Sequence, residues 1–159
     1  MEPEEIEKTS DSFLSIIQAD LGLPEFIIIK LERKKPMIVK NIDLNPSYWF
    51  VPLTYKDSLV GFLHLTLDGE IMAYGRFMQK DKEYIPINYL SKETAYAEIT
   101  KSFGEVHNRI GCPHLIHDGP PQKLTWMSVA KKDDEPFYLF WAFGEPYSRR
   151  EKEIDKYLI

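Results

Sequence analysis

The run Val60-Gly61-Phe62-Leu63-His64-Leu65-Thr66-Leu67-Asp68-Gly69-Glu70-Ile71-Met72-Ala73-Tyr74-Gly75 reads as a β-hairpin. Asp68-Gly69 between two apolar runs is a strong local hairpin signal, because a two-residue type I′ turn needs positive φ at both positions and its twist suits the flanking strands. A turn there sets the register. Leu67 should oppose Glu70, Leu65 oppose Met72 and Leu63 oppose Tyr74 on one side. Thr66 with Ile71, His64 with Ala73 and Phe62 with Gly75 fall on the other. Upstream, residues 48–55 are aromatic and β-branched and run into the polar turn Lys56-Asp57-Ser58, which adds a further strand. Pro52 lies inside it and cannot donate to a ladder, so that strand is expected at a sheet edge or with a bulge.

Working outward, residues 10–21 predict a helix, with Ser10 or Asp11 as cap, Phe13, Leu14, Ile17 and Leu21 on one face, and Gly22 and Pro24 as its end. The run 26–31 contains three consecutive isoleucines and favours a strand. After a linking segment at 84–88, Ser91 is a second N-cap. Tyr96, Ile99, Phe103, Val106 and Ile110 then form one apolar stripe, on a helix expected to end near Gly111. Residues 124–131 and 137–143 predict an antiparallel pair around the polar turn 132–136, with Trp126 and Trp141 in the core. Ser148 and Glu151 stand in capping-box spacing, which predicts a short C-terminal helix over 148–158.

The chain of 159 residues is the size of one compact domain spanning 1–159. A net charge of −5 argues against nucleic acid as a partner, and no apolar run approaches the length of a membrane span. Residues 1–10 are acidic and polar, unlike a secretory signal. That places the chain in the cytoplasm as it stands, or outside the cytoplasm if an export segment once preceded it. The single cysteine, Cys112, excludes an internal disulfide.

Helix then strands occurs twice, as half-repeats over 10–88 and 91–143. Residues 48–57 can be laid beside residues 124–133, each placing a tryptophan a few residues before a Lys-Asp turn. The words Trp49-Phe50-Val51-Pro52-Leu53, Val60-Gly61-Phe62-Leu63 and Asp68-Gly69-Glu70-Ile71-Met72 resemble the PepSY domain pattern, and Ser91-Lys92-Glu93-Thr94-Ala95 resembles the helix start of a second such unit. The resemblance covers residues 10–143 in outline and about 47–78 in words. It implies an α+β fold in which helices pack on curved antiparallel sheet in a cystatin-like manner. It also implies a role in regulation, sensing or peptidase propeptides.

Two constellations carry the functional expectations. Aromatic residues crowd the strands, and alternation sends about half of them to a helix-free face. Intramolecular sheet packing, a homodimer, or binding of a peptide or small hydrophobic ligand would each cover that face. A non-enzymatic module that recognises a protein or peptide partner is the leading reading, with Tyr48, Trp49, Phe62, His64 and Tyr74 as contact residues. The competing reading is a zinc protein or small hydrolase built on His107, Cys112, His114 and His117, since imidazole and thiolate suit tetrahedral zinc. A strand at 114–117 would turn His114 and His117 to opposite faces. Cys112 as a nucleophile with Asp118 orienting a histidine is a further alternative, although a thiol beyond a helix C-terminus sits at the wrong end of the dipole.

Overall fold

The computed structural model describes residues 1–79, 83–107 and 109–150. The protein is mixed α+β, with three α-helices and ten strands among those residues. It divides into two compact units, residues 1–39 with 46–87 and residues 40–45 with 88–159. No helix among the described residues is long and apolar enough to cross a membrane.

The first unit opens with α1 (Pro3–Ile17), which runs into a 3₁₀ turn at Gln18–Leu21. The helix begins at Pro3 rather than near Ser10. Proline in the first turn loses no helical hydrogen bond, and Glu4 and Glu5 complement the helix dipole there. Ser10, read as a cap, is instead buried in mid-helix, where its hydroxyl donates to the Ile6 carbonyl at 2.6 Å. Gly22 then adopts the left-handed conformation, φ 69°, and ends the segment. The isoleucine run is also not a strand. Glu25–Ile28 forms the single helical turn α2 behind Pro24, and of this turn only Ile27 is buried, so local geometry overrides β-propensity.

The strands of this unit are β1 (Glu32–Arg33), β2 (Met37–Lys40, whose last residue belongs to the second unit), β3 (Pro46–Tyr55), β4 (Ser58–Leu65), β5 (Ile71–Arg76) and β6 (Ile85–Pro86). Their order is β2-β3-β4-β5, with β1 also on β3 and β6 also on β4. Pro52 therefore lies in an interior strand. It is accommodated beside a register shift between Leu53 and Thr54.

The hairpin forms at Asp68-Gly69, but with a longer loop. Gly69 N–H donates to the Thr66 carbonyl and Thr66 N–H to the Glu70 carbonyl, and Gly69 has φ 89° while Asp68 does not have positive φ. This is the three-residue loop whose last member occupies the left-handed region, a position glycine takes without strain. It pairs Leu65 with Ile71 instead of Met72. A bulge at Met72 then restores the expected pairs His64 with Ala73, Leu63 with Tyr74 and Phe62 with Gly75.

Trp49, Val51 and Leu53 from β3 and Leu63 and Leu65 from β4 pack with Ile6 and Ile17 of α1, Leu21 and Ile27. Each fully buried aliphatic side chain contributes about 1.5–3 kcal/mol. Alternation sends Tyr48 and Phe50 to the other face, where both are also fully buried.

In the second unit, Ser91 caps α3 (Lys92–Phe103), its hydroxyl accepting from Thr94 N–H at 3.2 Å. The helix ends at Phe103 and not near Gly111, with Gly104 as C-cap. Val106 is accordingly more than half exposed. Four strands follow in antiparallel succession: β7 (His114–His117), β8 (Leu124–Lys132), β9 (Glu135–Ala142) and β10 (Glu145–Arg150). Lys40 pairs in parallel with Ile116. The two-residue turn with positive φ at both positions occurs here, at Asp133-Asp134, φ 52° and 65°. It places Trp126 opposite Trp141, and both are buried. Ser148, read as a helix cap, lies in β10 and is paired with Leu139 of β9; residues 151–158 of that expected helix lie outside the described residues.

Candidate functional site

Strand β5 ends the strand order of the first unit, and no strand pairs with its outer side among the described residues. An unpaired edge is a template for another chain, and proteins usually guard it with charge or proline. The end strand of the second unit is guarded in that way, because β10 carries Glu145, Pro146, Arg149 and Arg150. Residues 71–75 of β5 carry neither charge nor proline. Ile71, Met72 and Tyr74 are exposed.

The backbone of this edge is preorganised. Phe77 N–H donates to the Val60 carbonyl, so strand alternation turns the amides of Tyr74 and Arg76 away from β4. Arg76 Nη1 donates to the Gly22 carbonyl at 2.7 Å, tying the end of β5 to the turn after α1. At the other end, the N-terminal ammonium donates to the Leu67 carbonyl at 3.4 Å, and Met1 lies against Gly69.

Of the five residues expected to form a contact surface, Tyr48, Phe62 and His64 share one face while Trp49 and Tyr74 share the other with Leu65 and Leu63. Tyr48, Trp49 and His64 are buried, and Tyr74 is exposed at the edge. His64 lies between rings, with centroids 4.6 Å from Phe62, 4.7 Å from Tyr48 and 5.6 Å from Phe50. Neither imidazole nitrogen has a hydrogen-bond partner among the described residues. Burial lowers the His64 pKa to about 4 and raises that of the Tyr48 phenol, because both charged forms would lose hydration.

The four residues read as zinc ligands stand apart. His107 is buried against the rings of Phe103 and Phe137. Cys112 is exposed and lines an open cleft of about 460 Å³ with Lys92, Glu93, Tyr96, Ile110 and Pro113. His114 Nδ1 lies 3.2 Å from Lys40 Nζ, and His117 Nδ1 lies 2.9 Å from the Gly119 carbonyl. The last two are on a strand, three residues apart, and so face opposite ways. Among the described residues no three His, Cys, Asp or Glu side chains converge as a metal site. Burial lowers the pKa values of His107 and His114, assisted by Lys132 for the first and by Lys40 and Lys92 for the second.

Asp118, expected to orient a histidine, engages Arg149, Tyr147 and Lys123. It is buried, ion-paired with Arg149 Nη2, accepts from the Tyr147 hydroxyl at 2.8 Å and lies 3.3 Å from Lys123 Nζ. Burial alone would raise its pKa, but hydrogen bonds from Arg149 and Tyr147 and the charges of Arg149 and Lys123 outweigh that and lower it. The Arg149 guanidinium also lies over Phe140, whose ring stacks on Tyr147. This is a structural clasp joining β10 to the segment after β7. Its members are far apart in the chain, so no local pattern could have grouped them.

No family model matches the sequence, and neither any curated protein nor any solved structure matches it.

Proposed function

We propose that the protein is a non-enzymatic binding module that accepts an extended segment of a partner protein as an added strand along β5. In this reading the PepSY-like words and the cystatin-like pairing of a helix with antiparallel strands describe a scaffold whose working part is its edge. The observation that carries it is the contrast between the two end strands: β10 has charge and proline, whereas residues 71–75 of β5 have neither and expose Ile71, Met72 and Tyr74. Added-strand recognition draws affinity from main-chain hydrogen bonds and specificity from alternate side chains. The outward amides of Tyr74 and Arg76 supply the first, and the Tyr74 ring and Met72 the second.

The test is selection of linear peptides from a random library on the intact chain, followed by affinity measurement on Tyr74→Pro. Proline at an outward-facing edge position removes one donor and spares the ladder to β4. Selected peptides should lose at least tenfold in affinity while the variant keeps its far-ultraviolet circular dichroism. Peptides that bind the variant as well as the parent would refute the edge.

A further inference from the structure

The turn joining β3 to β4 faces α2 across a groove of about 280 Å³, lined by Phe26, Tyr55 and Tyr84 with Lys56, Ser58 and Gln79. It lies wholly within the first unit and does not involve the β5 edge residues. Three of its lining side chains are aromatic. Phe26 and Tyr55 meet edge to face, with centroids 5.8 Å apart and planes at 76°, and Phe26 is nevertheless 59% exposed. A helical turn that buries Ile27 while leaving Phe26 open offers an unfilled aromatic surface.

The described lining of the groove also carries one sign of charge. Among the described residues Lys56 is the single charged residue lining it, and its ammonium lies 5.3 Å from the centre of the Tyr55 ring. No carboxylate pairs with it among the described residues. Lys56 has φ 54°, in the left-handed region that β-turns normally give to glycine or asparagine. The backbone thus holds a lysine where other residues would sit with less strain.

We infer that this groove is a binding site for a small aromatic carboxylate, its ring held among Phe26, Tyr55 and Tyr84 and its carboxylate paired with Lys56. Aromatic rings supply apolar contact with defined geometry. A few placed polar groups fix orientation in such pockets, and here Ser58 and Gln79 can donate to the second carboxylate oxygen. An amine ligand of the same shape would meet the Lys56 ammonium and be repelled.

The experiment is a titration of the intact, isotope-labelled chain followed by nuclear magnetic resonance. The probes are 3-phenylpropionate, 3-phenylpropanamide and 3-phenylpropylamine. The carboxylate should shift the signals of Phe26, Tyr55, Ser58 and Tyr84 saturably and bind at least fivefold more tightly than the amide, with the amine weakest. Lys56→Asn keeps a residue suited to positive φ and should bring carboxylate and amide to equal affinity. Phe26→Ala, at an exposed position, should weaken both. Equal binding of the three probes to the parent chain would overturn the inference. So would saturable shifts confined to other residues, no saturable binding, or retained carboxylate preference in Lys56→Asn.

Discussion

The ring of Phe62 lies across Gly75, so that a β-carbon added to Gly75 would stand 3.1 Å from Phe62 Cζ. The two residues are cross-strand partners in β4 and β5. Phe62 is itself held between His64 at 4.6 Å and Phe77 at 5.3 Å, so it has little room to withdraw. The glycine that lets this ring lie flat also leaves the outermost strand thin at that point.

A side chain at position 75 should therefore be costly. Gly75→Val is expected to destabilise the fold by about 1–3 kcal/mol through overpacking, measured by urea denaturation. In a Phe62→Ala background the same change should cost clearly less. An equal cost in both backgrounds would separate Gly75 from Phe62.

Stability should fall in mild acid because of His64. Its folded pKa, about 4, lies below the ordinary imidazole value of 6.5. The unfolded chain therefore binds the proton more readily, and the contribution of neutral His64 is fully present above about pH 6.5 and is lost as pH falls toward 4. The difference corresponds to about 3 kcal/mol, at 1.36 kcal/mol per pH unit. His64→Phe should flatten this part of the curve of unfolding free energy against pH. An unchanged slope would assign the acid sensitivity to other groups.

Asp118 acts in the same direction at lower pH. Its carboxyl is held below the usual range, so its contribution is present above the unfolded carboxyl pKa and is lost as pH falls through the folded one. Asp118→Asn keeps an acceptor for the Tyr147 hydroxyl but leaves the partly buried Arg149 unpaired. A loss of about 2–4 kcal/mol is expected at pH 7, read by chemical denaturation. Removing Arg149 as well, as Arg149→Met, should recover part of it.

Much of the architecture is legible in local pattern because the governing physics is local. Ser91 caps α3 as its side-chain chemistry requires, and glycine at 69 marks a hairpin whatever its loop length. The misread elements are those where two local signals compete. Ser10 looks like a cap but lies within a helix that Pro3 and two glutamates start earlier. Isoleucines 27–29 prefer strands, but the chain turns at Pro24 and buries one of them.

The site is less legible. Which strand is last in a sheet depends on pairings between distant segments, so nothing local marked β5 rather than β3 as the edge. Tyr74 stands out in the sequence by its aromatic character, and that character alone does not separate it from buried Tyr48. Three histidines and a cysteine within a dozen residues of sequence likewise say nothing about convergence, because strand parity and a helix end hold them apart.

The edge account is tested most directly by amide hydrogen exchange, followed residue by residue, on the chain with and without a library-selected peptide. The account predicts new protection of the Tyr74 and Arg76 amides, which point away from β4, with little change at Ala73 and Gly75, which point toward it. Protection that leaves Tyr74 and Arg76 untouched and appears elsewhere would contradict it.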